Sequence, residues 1–589
     1  MRLGLFVLSM FFLIARPASA AEADADRILT GGRILTVDSG DRVAEALAIR
    51  GGRIVAVGTA VEIERLAGAA TERIDLRGRT ATPGLIDAHA HFSQGGLLRL
   101  THLDLGFPKV KSIADVVNAV EGRSATAKPG DWILGRGWDE GKFSDRRQVV
   151  AADVDPVSDG HPAWLVHTTG HYGVANSAAL ALAGVSRETA DPPGGVIDRD
   201  AGGNPTGVLM ETAMGLVARH IPPAGPEKMR EGIRAMVGEF NRECMTGVKD
   251  PGIGSSLVYD PEAAMDTWNA YREVLADGAL TVRVFALWHS PKTIAEAKKL
   301  IRLIEPLNWP GTSGVEDRLV SGGIKMFADG SGASRTAWMW QDWNRDVSGV
   351  DAGNTGYSAF NEELMRKLIF LYHDAGFHLG VHAVGDRAID WVVDSYAIAL
   401  ERKPAKGLRH SIIHSNVPSD HALDAMAAMQ KRYDAGYPEP SPSFTWWIGD
   451  IYAGNFGSAR SRRLNPLATF QRKGIRWASG SDYFVTPFPA RYGIWSSIAR
   501  EPLLGIYGGD PFGGEESVDA RAALRSFTIW AAHQVFMDER VGSLEAGKRA
   551  DIAVWDTDFY TASSAAIKDA ACQMTIFDGD VVYRADAFR

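Results

Sequence analysis

The chain has 589 residues and a mass of 63.6 kDa, too long for one simple layer architecture, so a large barrel-type domain with smaller units is the starting expectation. Hydrophobic residues make up 45% and charged residues 23%, ordinary for a globular protein, and the formal net charge of −9 offers no basic footprint for nucleic acid. A small organic molecule is the expected partner, and nothing in the composition speaks against a homo-oligomer.

In chain order, Arg2 precedes the apolar run Leu3–Ile14, and Ala18-Ser19-Ala20 offers a small-residue cleavage site. This is the layout of a secretory signal peptide over residues 1–20, with an apolar run too short to span a bilayer. It predicts an exported chain, periplasmic or secreted, that starts at Ala21; an uncleaved anchor is the rival. No later segment has the apolar length of a membrane span, so no membrane contact is expected after cleavage. Residues 27–82 alternate β-branched and polar residues around Gly31-Gly32 and Gly51-Gly52, and residues 535–589 repeat the pattern. The two ends are expected to form one small β-sandwich. Of the two cysteines, Cys244 continues the apolar face of Ile233, Met236, Val237 and Phe240, which predicts a buried free thiol, although export would permit a bridge to Cys572.

Between the ends, residues 83–534 alternate apolar strand-like runs with amphipathic helices. The expected strands are Gly84–His91, Met245–Asp250, Leu280–Leu287, Gly322–Phe327, Phe377–His382, Arg409–His414, Arg432–Gly436 and Ile475–Ser479, the seventh having the weakest pattern. The fold class is therefore α/β, a TIM-type (β/α)8 barrel. The long interval after the first strand predicts an inserted subdomain at about residues 105–225, placed over the mouth where βα connections emerge.

In "DAHAHF", His89 and His91 are two residues apart on a strand and so face one space. Two buried histidines satisfied by backbone carbonyls, or two metal ligands, would both read this way. Barrel sites lie at strand exits. In "FHLGVHAVGD" only His382 is at the exit and in "RHSIIHSN" only His414, so His378 and His410 are expected as buried, hydrogen-bonded residues. Asp482 follows the eighth strand. Four exit histidines and a carboxylate suit zinc or a related divalent ion. Lys325 also sits at an exit, where a buried lysine is costly; it either pairs with an acid such as Asp329 or is carboxylated by carbon dioxide into an anionic bridge.

The stretches "PGLIDAHAHF", "GWDEGKF", "NSAAL", "GGVIDRD", "PTGVLMETA", "GGIKMFADGSG", "VHAVGDRAID", "RHSIIHS", "GSDYFVTPFP" and "GSLEAGKRADIAVWD" run in order through nearly the whole mature chain. Together they resemble the amidohydrolase superfamily, and within it the subgroup of N-substituted formamide deformylase. The resemblance implies metal ligands at His89, His91, His382, His414 and Asp482, with Lys325 as a carboxylated bridge if two metals bind and Asp482 as catalytic base. It implies one or two divalent ions, zinc first, and metal-assisted hydrolysis of a C–N bond in a small amide or N-substituted formamide. Members often carry Glu before the sixth-strand histidine, where this chain has Ile413. His171 is a candidate substrate contact by the same resemblance, the alternative being that His171 and Asn176 merely fix a loop. Trp138 and Trp446-Trp447 are candidates for an apolar pocket, and Arg387 and Glu211 for polar substrate contacts. The rivals are a single-metal deaminase, an esterase or carbamate hydrolase on the same barrel, and a non-catalytic exported binding protein. No G-x-S-x-G elbow supports a serine nucleophile.

Overall fold

Seven parallel strands form the central sheet of the computed structural model, which describes residues 24–254, 257, 259–307, 317–344 and 351–588. They are β1 (Leu85–Asp87), β2 (Met245–Ile253), β3 (Arg283–His289), β4 (Leu319–Phe327), β5 (Leu379–Ala383), β6 (Ser411–His414) and β7 (Tyr437–Glu439), each paired with its neighbour in chain order. Nearly every residue of these strands is buried, as expected for a parallel sheet with both faces covered. The helices cover the outer face along single apolar stripes. Helix Asp386–Arg402, for example, buries Ile389, Val392, Val393, Tyr396 and Leu400 at helical spacing.

The gap between β7 and β1 is closed by residues 478–483. Ala478 N–H donates to Pro438 O at 3.3 Å and Gly480 N–H to Pro440 O at 3.1 Å, while Ala88 N–H donates to Ser479 O at 3.1 Å. Asp482 N–H reaches His89 O, and His91 N–H reaches Tyr483 O, both at 2.7 Å. This segment occupies the place of the expected eighth strand without being a regular strand. The seventh strand also differs from expectation. Residues 432–433 finish helix Asp420–Tyr433, Asp434 takes a left-handed conformation (φ 53°) as its C-cap, and β7 begins only at Tyr437.

Residues from both chain ends share a six-stranded sheet ordered Asp580–Arg584, Cys572–Phe577, Ile552–Trp555, Thr80–Pro83, Arg33–Leu35, Val43–Ala44. A four-stranded sheet of residues between Arg27 and Asp75 shares one apolar core with it, including Leu29, Ile34, Leu47, Ile552 and Met574. Between β1 and β2, strands lying between Leu103 and Glu211 form a separate six-stranded sheet around a core of its own. The signal-peptide expectation lies outside the described residues, and no helix among them is long and apolar enough to cross a membrane.

The expectation of a free thiol at Cys244 is corrected: Cys244 is disulfide-bonded to Cys572, with Cα atoms 5.5 Å apart. The apolar surroundings were read properly, since Cys244 is fully buried. What helical spacing does not reveal is that the strand Cys572–Phe577 packs beneath helix Gly225–Arg242 and the entry to β2.

Candidate active site

His89, His91 and Asp482 meet where the closing segment crosses β1. His89 Nε2 lies 3.2 Å, and His91 Nε2 3.4 Å, from the same Asp482 oxygen, Oδ1. Asp87 orients this crossing: one carboxylate oxygen accepts the backbone N–H groups of His89 and Ser481, both at 3.0 Å, and the other accepts the Ser481 hydroxyl at 2.6 Å. Burial pushes Asp87 up to about 7, and these bonds work against that shift. The approach at Gly480 is close, for a Cβ there would lie 2.6 Å from His89 Cβ and 2.7 Å from its backbone nitrogen.

From this trio the histidines continue around the rim. The His89 ring is 5.1 Å from His414, His414 is 4.6 Å from His382, and His382 is 5.2 Å from His171. His382 Nε2 lies 2.9 Å from Gly330 O, which can only accept, so Nε2 carries the proton and Nδ1 keeps its lone pair. Burial, followed by the charge of Lys325, pushes His89 well below its ordinary value, and burial pushes His414 down to about 3, so both are neutral imidazoles. His89 Nδ1 and Nε2, His91 Nδ1 and His414 Nδ1 are buried without a hydrogen-bond partner. Asp482, though burial would raise it, is held well below the carboxylate range by His414 and by its contacts with His89 and His91.

Lys325 is 1% exposed, with its ammonium over the Phe327 ring. The expected pairing with Asp329 is absent: Asp329 instead accepts the backbone N–H groups of Trp338, Val384 and Gly385. Burial pushes Lys325 down to about 7, with Asp482 and Glu439 opposing. Beneath it inside the barrel, Lys249 and Glu439 form an ion pair with both side chains fully buried. Sequence reasoning missed this pair, because nothing in either strand announces that the two positions face each other. His378 and His410 are the hydrogen-bonded core residues expected of them, with His378 Nδ1 3.1 Å from Leu408 O and His410 Nε2 3.0 Å from His373 Nδ1.

His91, Lys325, His382, His414 and Asp482 line a cavity of about 290 Å³, which His89 does not reach. His171 lines it too, its Nδ1 2.9 Å from Glu211 Oε2, and Thr336 bonds the other Glu211 oxygen. Although burial would lower it, Glu211 raises His171 above its ordinary value. Asn176 instead caps helix Ser177–Leu182 and ties it to Ala163 and His161. Trp138 does not reach the cavity: it is fully buried in the inserted sheet's core, its indole N–H donating to Leu165 O at 3.1 Å. Arg387 is also corrected; it sits in the first turn of helix Asp386–Arg402 over the rings of Trp338 and Trp340, away from the lining. Trp446 packs in the barrel's outer core, and Trp447 against that same core. Both tryptophan expectations read aromatic residues as pocket walls where the fold uses them as packing.

The backbone at the rim is unusual. His414 (φ 69°), Ser415 (φ 44°), Asp482 (φ 54°) and Glu211 (φ 51°) all adopt positive φ without being glycine.

With this geometry in place, comparison with known proteins is decisive about family. The amidohydrolase family model matches residues 72–583. The chain belongs to the amidohydrolase family and is an enzyme of that family. It is 27% identical over 572 residues to the N-substituted formamide deformylase of Arthrobacter pascens, covering 95% of this chain and 98% of that one. An uncharacterized metal-dependent hydrolase from Pyrococcus horikoshii has a similar structure (TM-score 0.67, 20% identity, 92% and 99% of the two chains). So has one from Pyrococcus furiosus (TM-score 0.66, 23% identity, 91% and 100%). These likenesses support the TIM-barrel type of fold.

Proposed function

We propose that the rim binds one or two divalent metal ions, zinc by its donor set, and that the enzyme hydrolyses a C–N bond in a small amide or N-substituted formamide. One observation carries the reading: buried, neutral imidazoles with unpartnered nitrogens converge on a carboxylate. Orphaned buried nitrogens are costly, and a cation that accepts their lone pairs would satisfy them. His89, His91 and Asp482 would hold one ion; His382 and His414 would hold a second, with carboxylated Lys325 between the two. What supports the bridge is a buried amine with no carboxylate in ion-pair distance among the described residues.

When bound, such an ion supplies Lewis-acid chemistry, lowering the pKa of water and polarising a carbonyl. Asp482 would take the proton of the attacking water on its carboxylate and return it to the leaving nitrogen, since the proton removed in attack is the one departure needs. His171, fixed by Glu211, faces the cavity as a donor to the substrate. The Arthrobacter relative's name places a formamide among the first substrates to try.

Metal analysis of the purified protein, with an amide and ester panel, tests the reading. His89→Ala and His91→Ala should each lose metal and activity while remaining folded. Lys325→Ala should lose the second metal, with partial rescue by short carboxylic acids. Unchanged metal content in all three variants would return these residues to ordinary packing roles.

We also infer export after cleavage following Ala20. The signal-like N-terminus and the Cys244–Cys572 bridge both suit an oxidising compartment. N-terminal sequencing of the mature form should begin at Ala21, and an intact Met1 would sink this.

A further inference from the structure

Three buried arginines are handled in different ways. Arg283, 2% exposed, is enclosed by Asp317, Asp551 and Asp578. Arg500, also 2% exposed, donates to four backbone carbonyls, those of Leu464, Asn465, Phe512 and Gly513, at 2.7–3.0 Å. Arg136 is 9% exposed, yet its protein acceptor among the described residues is a single carbonyl, Thr168 O, at 3.1 Å. Its guanidinium lies over the Phe484 ring and lines the cavity.

The carboxylates of that cavity are all engaged elsewhere. Asp482 faces His89 and His91, Glu211 holds His171 and Thr336, and Asp329 accepts three backbone N–H groups. No carboxylate lies within ion-pair distance of Arg136 among the described residues; burial lowers it well below its ordinary value, and Tyr483 and Asp482 oppose that only through space. The imidazole beside it, His102, is pushed down to about 4, by burial first and then by the charge of Arg136, so it is neutral at pH 7. A guanidinium carries five donors and stays charged, and burying it with one carbonyl acceptor and no counter-charge is costly. A cavity wall that retains one is therefore built for an anion from outside the chain. Its position relative to the reaction centre is also given: His91 stacks on the same Phe484 ring, with centroids 5.1 Å apart.

We propose that Arg136 is the anion subsite of this active site and that the substrate is an amide bearing a carboxylate a short distance from the scissile C–N bond. The proposal rests on the hydrolase reading above and narrows it. A guanidinium matches a carboxylate through two parallel N–H···O bonds, which fixes the substrate's direction as well as its charge. One end of the amide then lies against Arg136 and Phe484, and its carbonyl against the histidine rim.

The test uses two compounds that differ only in the carboxylate, N-formylphenylalanine and N-formyl-2-phenylethylamine, on the metal-loaded full-length enzyme. The acid should be favoured in kcat/KM by on the order of 100-fold, chiefly through KM. Arg136→Met should collapse that ratio to near one, and Arg136→Lys should keep part of it. A wild-type ratio near one, or a ratio that Arg136→Met leaves intact, overturns the subsite. If neither compound is cleaved, the chosen amides or the hydrolase reading is at fault, and binding decides the subsite separately. In calorimetry, 3-phenylpropionate should bind wild type at least 10-fold more tightly than Arg136→Met, with 3-phenylpropanamide much less affected. Equal affinity of 3-phenylpropionate for both proteins would mean the carboxylate is held by something other than Arg136. Thermal melts of both variants check that they are folded.

Discussion

The two ends of the barrel treat ionisable groups in opposite ways. Where the strands begin, charges are closed into networks. Arg283 meets three aspartates, and Arg409, Asp434, Asp538 and His533 bond one another in a ring. Where the strands finish, imidazole nitrogens of His89, His91 and His414 lack hydrogen-bond partners, and Lys325 and Arg136 lack carboxylates in ion-pair distance among the described residues. One end is optimised for stability, whereas the other keeps unmet valences that a metal and a substrate would satisfy.

The comparison breaks most sharply at Asp482. Asp482→Asn keeps the shape but removes the proposed base, and activity should fall by about 10²–10⁴-fold. In the metal-free protein the melting temperature should fall modestly, because His414, His89 and His91 hold this carboxylate below its ordinary range and its charge therefore contributes some stability at neutral pH. A large loss of metal-free stability would show that the mouth, too, is built for folding.

Arg283→Ala is the counterpart at the other end. Removing Arg283 leaves buried Asp551 without its arginine, while Asp317 and Asp578 keep Arg549 and Arg318, and the expected cost is about 3–5 kcal/mol of unfolding free energy. The kcat/KM of the folded fraction should be unaltered. Denaturant unfolding with activity measured on the same samples checks both halves, and a kinetic effect without a stability effect would reverse the assignment.

A third contrast concerns how the chain ends are tied to the barrel. Arg283 links β3 to Asp551 and Asp578, and the Cys244–Cys572 bridge links the entry of β2 to the same end-derived sheet. Replacing both cysteines by serine should cost about 2–5 kcal/mol. The rim lies at the opposite ends of those strands, so metal content should not change. A variant that loses metal would show that the bridge holds the site's geometry as well as the fold.

What could be read in the residues follows the same division. The exit histidines were legible because the i, i+2 alternation of a strand and the position of barrel sites are both local rules: His89 with His91, His382 and His414 come from single short stretches. Groups that depend on two distant segments were not. The Lys249–Glu439 pair and the Cys244–Cys572 bridge join residues whose neighbourhoods carry no mutual mark. Arg136 sits in "GRGWDEG", on the strand Ile133–Trp138 of the inserted sheet, and nothing in that stretch shows that its side chain reaches the cavity. Trp138, two residues on, is the expected pocket residue, yet of the two buried side chains only Arg136 lines the cavity. The late start of β7 has a local cause, Asp434 in the left-handed conformation, that propensity alone does not register.

The smallest expected effect is a difference in acid sensitivity, and it bears on the closed end alone. Burial would raise Asp434, but its bonds with His533 and Tyr437, then the charge of Arg409, hold it well below the ordinary carboxylate value. Asp538 is lowered in the same way, against burial, by His533 and Arg409. A carboxylate depressed in the folded state contributes stability above its unfolded pKa of about 3.9, and that contribution is lost as pH falls through and below that value. Wild type should therefore lose melting temperature more steeply between about pH 5 and 3 than Asp434→Asn or Asp538→Asn. Each variant starts lower at pH 7, since His533 and Arg409 then lack one partner, and its curve should converge on the wild-type curve in acid. Both aspartates are partly exposed, so solvent screening keeps the difference modest. Parallel curves would mean that neither carboxylate is depressed by folding, and that the ring at this end is a surface arrangement of little energetic weight. Converging curves would place part of the enzyme's acid lability in that ring, independent of any protonation of the histidines at the mouth.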